Sequence, residues 1–266
     1  MADLGIKEFQ SYCSYCRSTL RNVEEKGQGH HNTCKYEISQ YKEDKGFWYY
    51  LQMVGADITD CYTDSKGRII HLDLAGNGLA DLPELPFKDI EVLDLSGNAL
   101  DRIPKWIFDL GHLKKIFFPG NGFSQTLLLD MLKLNDKGVN VISTGLKFDN
   151  NILRAINLAY IGSFMLDNPL HISEEILKYF TTVSKVNISY NNLYELPIWI
   201  FRMKRLEELN IAGNNLGVEE YRKLMAVKNL KQLDISQSYL ENEYERELNK
   251  LRNKGVIISY YSSRFF

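Results

Sequence analysis

The strongest constraint on this chain is self-similarity at a period of about 23 residues, short enough that each unit can hold only one strand and one return. The segment Ile69 to Leu79 reads IIHLDLAGNGL, Ile90 to Leu100 reads IEVLDLSGNAL, and Leu113 to Phe123 reads LKKIFFPGNGF. The pattern returns as Val183 to Leu193, Leu206 to Leu216 and Leu230 to Leu240. Each fits L-x-x-L-x-L-x-x-N-x-L with other apolar residues standing for Leu, and with Ser238 in place of Asn in the last. Strict alternation makes the centre of each unit a strand: Leu93 and Leu95 point into a core, and Asp94 points away from it. The recurring Asn77, Asn98, Asn121, Asn191 and Asn214 fall where the chain must turn. There an amide side chain can bond the backbone groups that the strand no longer satisfies. No single unit buries its apolar face alone, so the units must stack.

Repeats of this form resemble the leucine-rich-repeat family. Their spacing is similar to that of its class of roughly 23 residues per repeat, of Ras-associated, intracellular scaffold type. The steps Leu93 to Ile116, Ile116 to Val139, Val186 to Leu209 and Leu233 to Val256 are equal, and Leu209 to Leu233 is longer by one. The phrases RIPKWIF (Arg102 to Phe108) and ELPIWIF (Glu195 to Phe201) recur at matching places between strands. The resemblance implies an α/β solenoid: a curved parallel sheet with short helices or turns on its convex side.

Residues 69–266 form the expected array, with one irregular stretch at 143–182. The step from Val139 to Ile156 is shorter than the common period, and that from Ile156 to Val186 is longer. Asp136-Lys137-Gly138-Val139 is echoed by Asn253-Lys254-Gly255-Val256, which suggests two related halves, the second with one more repeat. A continuous nine-strand sheet with a distorted turn is the alternative, and it is the favoured one over a true break. Array ends need covering. Residues 46–68 are assigned as an N-terminal cap, from the aromatic run Phe47 to Val54 and a hairpin turning at Asp64 to Gly67. A closing strand is expected over about 256–266, with Phe265-Phe266 folding back.

Residues 1–45 hold a different signal. Cys13 and Cys16 form a C-x-x-C pair, and His30, His31 and Cys34 follow. Two thiolates from one tight knuckle plus a His and a Cys from a second turn make a tetrahedral zinc set. The ligands are Cys13, Cys16, His31 and Cys34, with His30 as the alternative to His31. The segment Lys35 to Tyr41 has helical character, and the arrangement is similar to a treble-clef zinc finger. Four protein ligands leave no open position, so the expected zinc is structural. Cys61, the fourth cysteine, is expected to be a buried thiol.

Nothing in the chain announces catalysis: there is no nucleophile elbow, phosphate loop or H-E-x-x-H. His71, His112 and His171 are scattered, and Asp73 and Asp94 lie side by side only because the repeat places them so. With 32 Lys and Arg against 34 Asp and Glu, net charge -2, there is no electrostatic case for nucleic acid or an anionic membrane. No run approaches the roughly 20 apolar residues of a membrane span, and the first residues lack a signal-peptide pattern. A cytoplasmic protein is expected.

The expected function is that of a scaffold receiving a protein or peptide. The alternative is a structural subunit that uses the zinc module and array edges as contacts. The position between the two core aliphatics runs Asp73, Asp94, Phe117, Asn140, Asn157, Asn187, Asn210, Asp234, Ile257. The next outward position includes Ala75, Ser96, Pro119, Ile142, Ala159, Ser189, Ala212, Ser236 and Ser259. Small polar residues dominate until the middle of the array. Phe117, Asn140, Ile142, Asn157 and Tyr160 are therefore the candidate partner-binding residues, since apolar groups displayed on a strand face have a solubility cost.

Overall fold

The structure, a computed structural model, describes residues 60–65, 68–159, 172–238 and 242–260. The Cys13, Cys16, His30, His31 and Cys34 set, the run 47–54, Tyr160, Phe265-Phe266 and the Cys61 side chain lie outside the described residues. The strands fall into two sheets, and the chain divides into two compact units at residues 142 and 143.

In the first unit, β1 (Asp60–Thr63) pairs antiparallel with β2 (Ile69–Asp73). Strands β3 (Val92–Asp94), β4 (Lys115–Phe117) and β5 (Asn140–Ile142) then add in parallel. Leu72, Leu93, Ile116 and Val141 stand in register at the centre of this sheet, all at most 2% exposed. Between strands the chain returns through a 3-10 turn, Lys105–Asp109, and through helix α1, Gln125–Asp136. Ser124 caps α1, accepting from the Leu127 N–H at 2.9 Å, as an N-terminal serine should.

The second unit repeats this plan. Here β6 (Leu146–Asp149) and β7 (Ile152–Asn157) form the antiparallel hairpin. Strands β8 (Lys185–Asn187), β9 (Glu208–Asn210), β10 (Gln232–Asp234) and β11 (Ile257–Ser259) follow in parallel. The connections hold helices α2 (Glu174–Leu177), α3 (Val218–Lys223) and α4 (Asn242–Asn253), with 3-10 turns at Lys178–Thr182, Ile198–Arg202 and Leu224–Ala226. Tyr221 of α3 is buried edge-to-face on Tyr244 of α4, with ring centroids 5.4 Å apart, and burial pushes its hydroxyl pKa up to about 12.

The continuous nine-strand sheet is therefore corrected to two sheets, and the reason lies in residues 146–157. Asn150 and Asn151 both adopt left-handed backbone, φ 47° and 60°. That is the signature of a two-residue type I′ hairpin turn, and it sends β6 back along β7 as its partner. The described start of the stretch at 143–182, the β6–β7 hairpin, opens the second sheet.

A second correction concerns register. By pairing, Ile116 matches Val141 rather than Val139, and Leu233 matches Ile258 rather than Val256. The last repeat of each unit is thus longer than the common period. Val139 and Val256 are buried but precede their strands. Both of these last repeats carry a twelve-residue helix where the other described connections hold 3-10 turns or helices of six residues or fewer. Both helices stop the same way. Gly138 and Gly255, at φ 88° and 93°, donate to Asn135 O and Arg252 O, while Val139 and Val256 N–H reach Leu134 O and Leu251 O. This is the paired bond pattern of a Schellman stop, whose left-handed residue favours glycine. The lysine before each glycine also repeats its role: Lys137 Nζ donates to Phe108 O at 2.8 Å, and Lys254 Nζ to Val227 O at 2.8 Å.

The asparagine ladder works as its chemistry requires. Asn98 Oδ1 accepts from Asn77 and Leu79 N–H, at 3.1 and 3.0 Å, and its Nδ2 donates to Leu74 O and Leu95 O, both at 3.0 Å. Asn214 does the same with Asn191 and Leu193 N–H and with Ile188 O and Ile211 O, at 2.9 to 3.1 Å. One side chain thus closes its own turn and the turn before it. A carboxylate device also recurs: Asp130 accepts from Ile103 N–H at 3.1 Å and Glu220 from Leu196 N–H at 2.9 Å, each just ahead of a proline. Partial burial pushes the Asp130 carboxyl above its usual range, and that N–H bond opposes the shift.

Candidate functional site

The candidate site lies on the strand face opposite the aliphatic core. In the first unit this face shows two columns. His71, Val92, Lys115 and Asn140 form one, and Asp73, Asp94, Phe117 and Ile142 the other. The longer last repeat thus moves Ile142 into the column of Phe117, its direct neighbour across β4 and β5, and moves Asn140 out beside Lys115. Both apolar side chains are half-buried and neither belongs to the buried core; Asn140 is exposed. Lys115 Nζ stands 4.4 Å from the centroid of the Phe117 ring, within reach of the ring's negative face. The column ends in acid, since Asp94 pairs with Phe117 and Asp73 with Asp94. The result is an apolar pair with a cation on one side and two carboxylates beyond it.

Asn157 lies on β7 of the second unit, opposite Asn187, and its Oδ1 accepts from Ala159 N–H at 3.1 Å. That bond reveals why the column is Asp and Asn throughout. Asp73, Asp94, Asn187, Asn210 and Asp234 each accept from the N–H two residues on, at 2.8 to 3.0 Å. The residue type is set by turn closure, and Phe117 and Ile142 are the departures from it. In the second unit the outward-facing expectation is corrected. Asn187, Asn210 and Asp234 are buried, Asp234 completely, while Ile257 moves to the Gln232 column and is exposed. Tyr160 lies outside the described residues.

Reading the sequence by a constant period missed the Phe117–Ile142 adjacency and the role of Lys115. The signal was present in the helical run from Gln125 to Asp136, too long for the turn used elsewhere. Among the described residues, no group of three or more His, Cys, Asp or Glu could hold a metal ion, and no helix is long and apolar enough to cross a membrane.

Residues 89–110 match the family model for the leucine-rich repeat. No curated protein sequence matches the chain. Among solved structures, a leucine-rich-repeat protein of Leptospira interrogans is similar at 21% identity over 71% of this chain, TM-score 0.39. The chain spans 60% of that protein's length. Human 5T4, the trophoblast glycoprotein, is similar at 17% identity over 74% of this chain and 78% of its own, TM-score 0.41. The matched segment covers β3, the 3-10 turn after it and Asn98, whose side chain bonds the turn of the strand before it; residues 89–110 carry a leucine-rich repeat.

Proposed function

We propose that the protein is an interaction scaffold that receives a protein or peptide on the Phe117–Ile142 face of the first unit. The observation that supports this is the break in an otherwise structural column. Every other residue of that column in the first unit closes a turn, whereas Phe117 and Ile142 close none and remain half-exposed. A partner would cover the apolar pair and meet Lys115 and Asp94 at its sides, the mixture of apolar centre and polar rim seen in protein interfaces. A photo-crosslinking residue at Asn140, beside this pair, tests it in cells. Phe117→Ala should lower capture of the crosslinked partner by about tenfold or more, as a central aromatic anchor does, and shift the unfolding free energy by less than about 1 kcal/mol. Equal capture by Phe117→Ala and the unsubstituted chain overturns the site.

The zinc reading of Cys13, Cys16, His31 and Cys34 stands beside this as a proposal resting on ligand spacing alone. Elemental analysis of the purified chain is expected to return about one zinc per molecule, as one tetrahedral site requires. Cys34→Ser should then release the metal and leave the melting of the two repeat units little changed. Metal-free protein with Cys13, Cys16 and Cys34 all open to thiol reagents contradicts it.

A further inference from the structure

The second unit carries a cleft of about 450 Å³ on the side of its helical connections, within the range of small-ligand and side-chain pockets. Its floor is apolar: Phe180 and Trp199 meet edge-to-face with centroids 5.6 Å apart, each 2% exposed, beside Leu177 and Met203. Its rim is cationic, with exposed Lys178, Arg202 and Lys204. Glu174 is the one carboxylate among the lining residues, and Arg202 holds it at 2.5 Å. Among the described residues, Lys178 and Lys204 pair with no carboxylate; Lys178 instead stands 5.1 Å from the Tyr179 ring.

The first unit provides an internal comparison. The 3-10 turn Lys105–Asp109 and strand β3 stand to each other in sequence as Ile198–Arg202 and β8 do. Trp106 and Phe87 occupy the places of Trp199 and Phe180, and all four are buried. At the places of Lys178, Arg202 and Lys204, however, the first unit has Leu85, Asp109 and Gly111. The shared packing scheme therefore requires the aromatic residues but not the cations. Three positive groups, one of them held by Glu174, gather around an apolar floor. The sister position carries one, Lys88 at the place of Thr181, already paired with Glu84. The two cations without a carboxylate match an anionic ligand with an apolar anchor.

We propose that this cleft docks an acidic peptide segment, which lays one large apolar side chain on the Phe180–Trp199 floor while flanking carboxylates meet Lys178 and Lys204. The inference is independent of the Phe117 face, which belongs to the other unit. It is tested on the full chain with the acetylated, amidated peptide DEFED, followed by the Trp199 indole resonance. Saturable binding is expected with a Kd of about 0.1–1 mM, the modest affinity of a short flexible ligand that must be ordered. Raising salt from about 50 to about 200 mM should weaken it at least threefold, because the contacts are exposed and screened. The double variant Lys178→Glu/Lys204→Glu should weaken it about tenfold or more, with an unchanged circular dichroism spectrum, since both side chains are exposed. Lys105→Glu in the first unit should not alter it.

No saturable binding, equal binding of DEAED, or an equal loss in Lys105→Glu overturns the proposal. So does sedimentation showing a dimer that dissociates in the double variant, which assigns the cleft to a second copy.

Discussion

Asn214→Ala is expected to destabilise the protein by about 2–5 kcal/mol, a sum over several buried backbone groups left unmet at about 1–3 kcal/mol each, less whatever water can enter. The side chain is 2% exposed and makes five buried bonds, three as donor to Ile188 O, Ile211 O and, at 3.4 Å, Ala212 O, and two as acceptor from Asn191 and Leu193 N–H. Alanine removes all five at once and supplies none. The control is its neighbour. Asn215 is exposed, and its side chain bonds only the exposed Asn192, at 2.7 Å. Asn215→Ala should cost less than about 1 kcal/mol, as an exposed substitution does. Urea midpoints of the two variants separate the cases, and hydrogen exchange should show lost protection at Asn191 and Leu193 in the first variant only. Equal midpoints would mean that the ladder bonds contribute nothing beyond those that water supplies.

Leu209→Ala and Leu95→Ala should each cost about 2–5 kcal/mol, the range of buried leucine truncations. Both side chains are fully buried, Leu209 in register with Val186 and Leu233 at the centre of its sheet. Asp94→Ala removes one hydrogen bond, from Ser96 N–H at 2.8 Å, at a half-buried position, worth about 1 kcal/mol. A denaturant series in which Asp94→Ala proved the most damaging of the three would show that the strand faces are assigned the wrong way round. The register of β5 has its own test within the same series: Val141→Ala should cost more than Asn140→Ala, since Val141 is buried and Asn140 exposed.

The repeat and its core were legible because their residues are chosen by local rules. Alternation places Leu93 and Leu95, and an unmet backbone places Asn98; both are visible within a single repeat. The break between sheets was legible in principle, because Asn150-Asn151 between Phe148 and Ile152 has the composition of a two-residue hairpin turn. It was overlooked because the expected unit was a parallel strand. The misplacement of Asn140 and Ile257 has a single cause: repeat length depends on the connecting element. A twelve-residue helix takes more chain than a short turn to bring the backbone back to the sheet. The burial of Asn187, Asn210 and Asp234 was not legible at all. The same Asp or Asn is demanded by turn closure whether or not its face is covered, so sequence cannot separate the two.

The hairpin that begins each sheet and the long helix that precedes its last strand also constrain how such a chain can change in length. A hairpin brings its own pairing partner, and the Lys-Gly stop fixes where the final helix ends. Neither depends on how many strands lie between. Apart from β4, which departs at Phe117, the interior strands, β3 in one unit and β8 to β10 in the other, carry only the common rules: two aliphatics, a turn-closing acid or amide, and an amide or hydroxyl at the ladder position. They are interchangeable cassettes between a fixed opening and a fixed terminator. Adding or removing one whole interior repeat should therefore lengthen or shorten either sheet by a whole strand while the punctuation at both ends stays as it is.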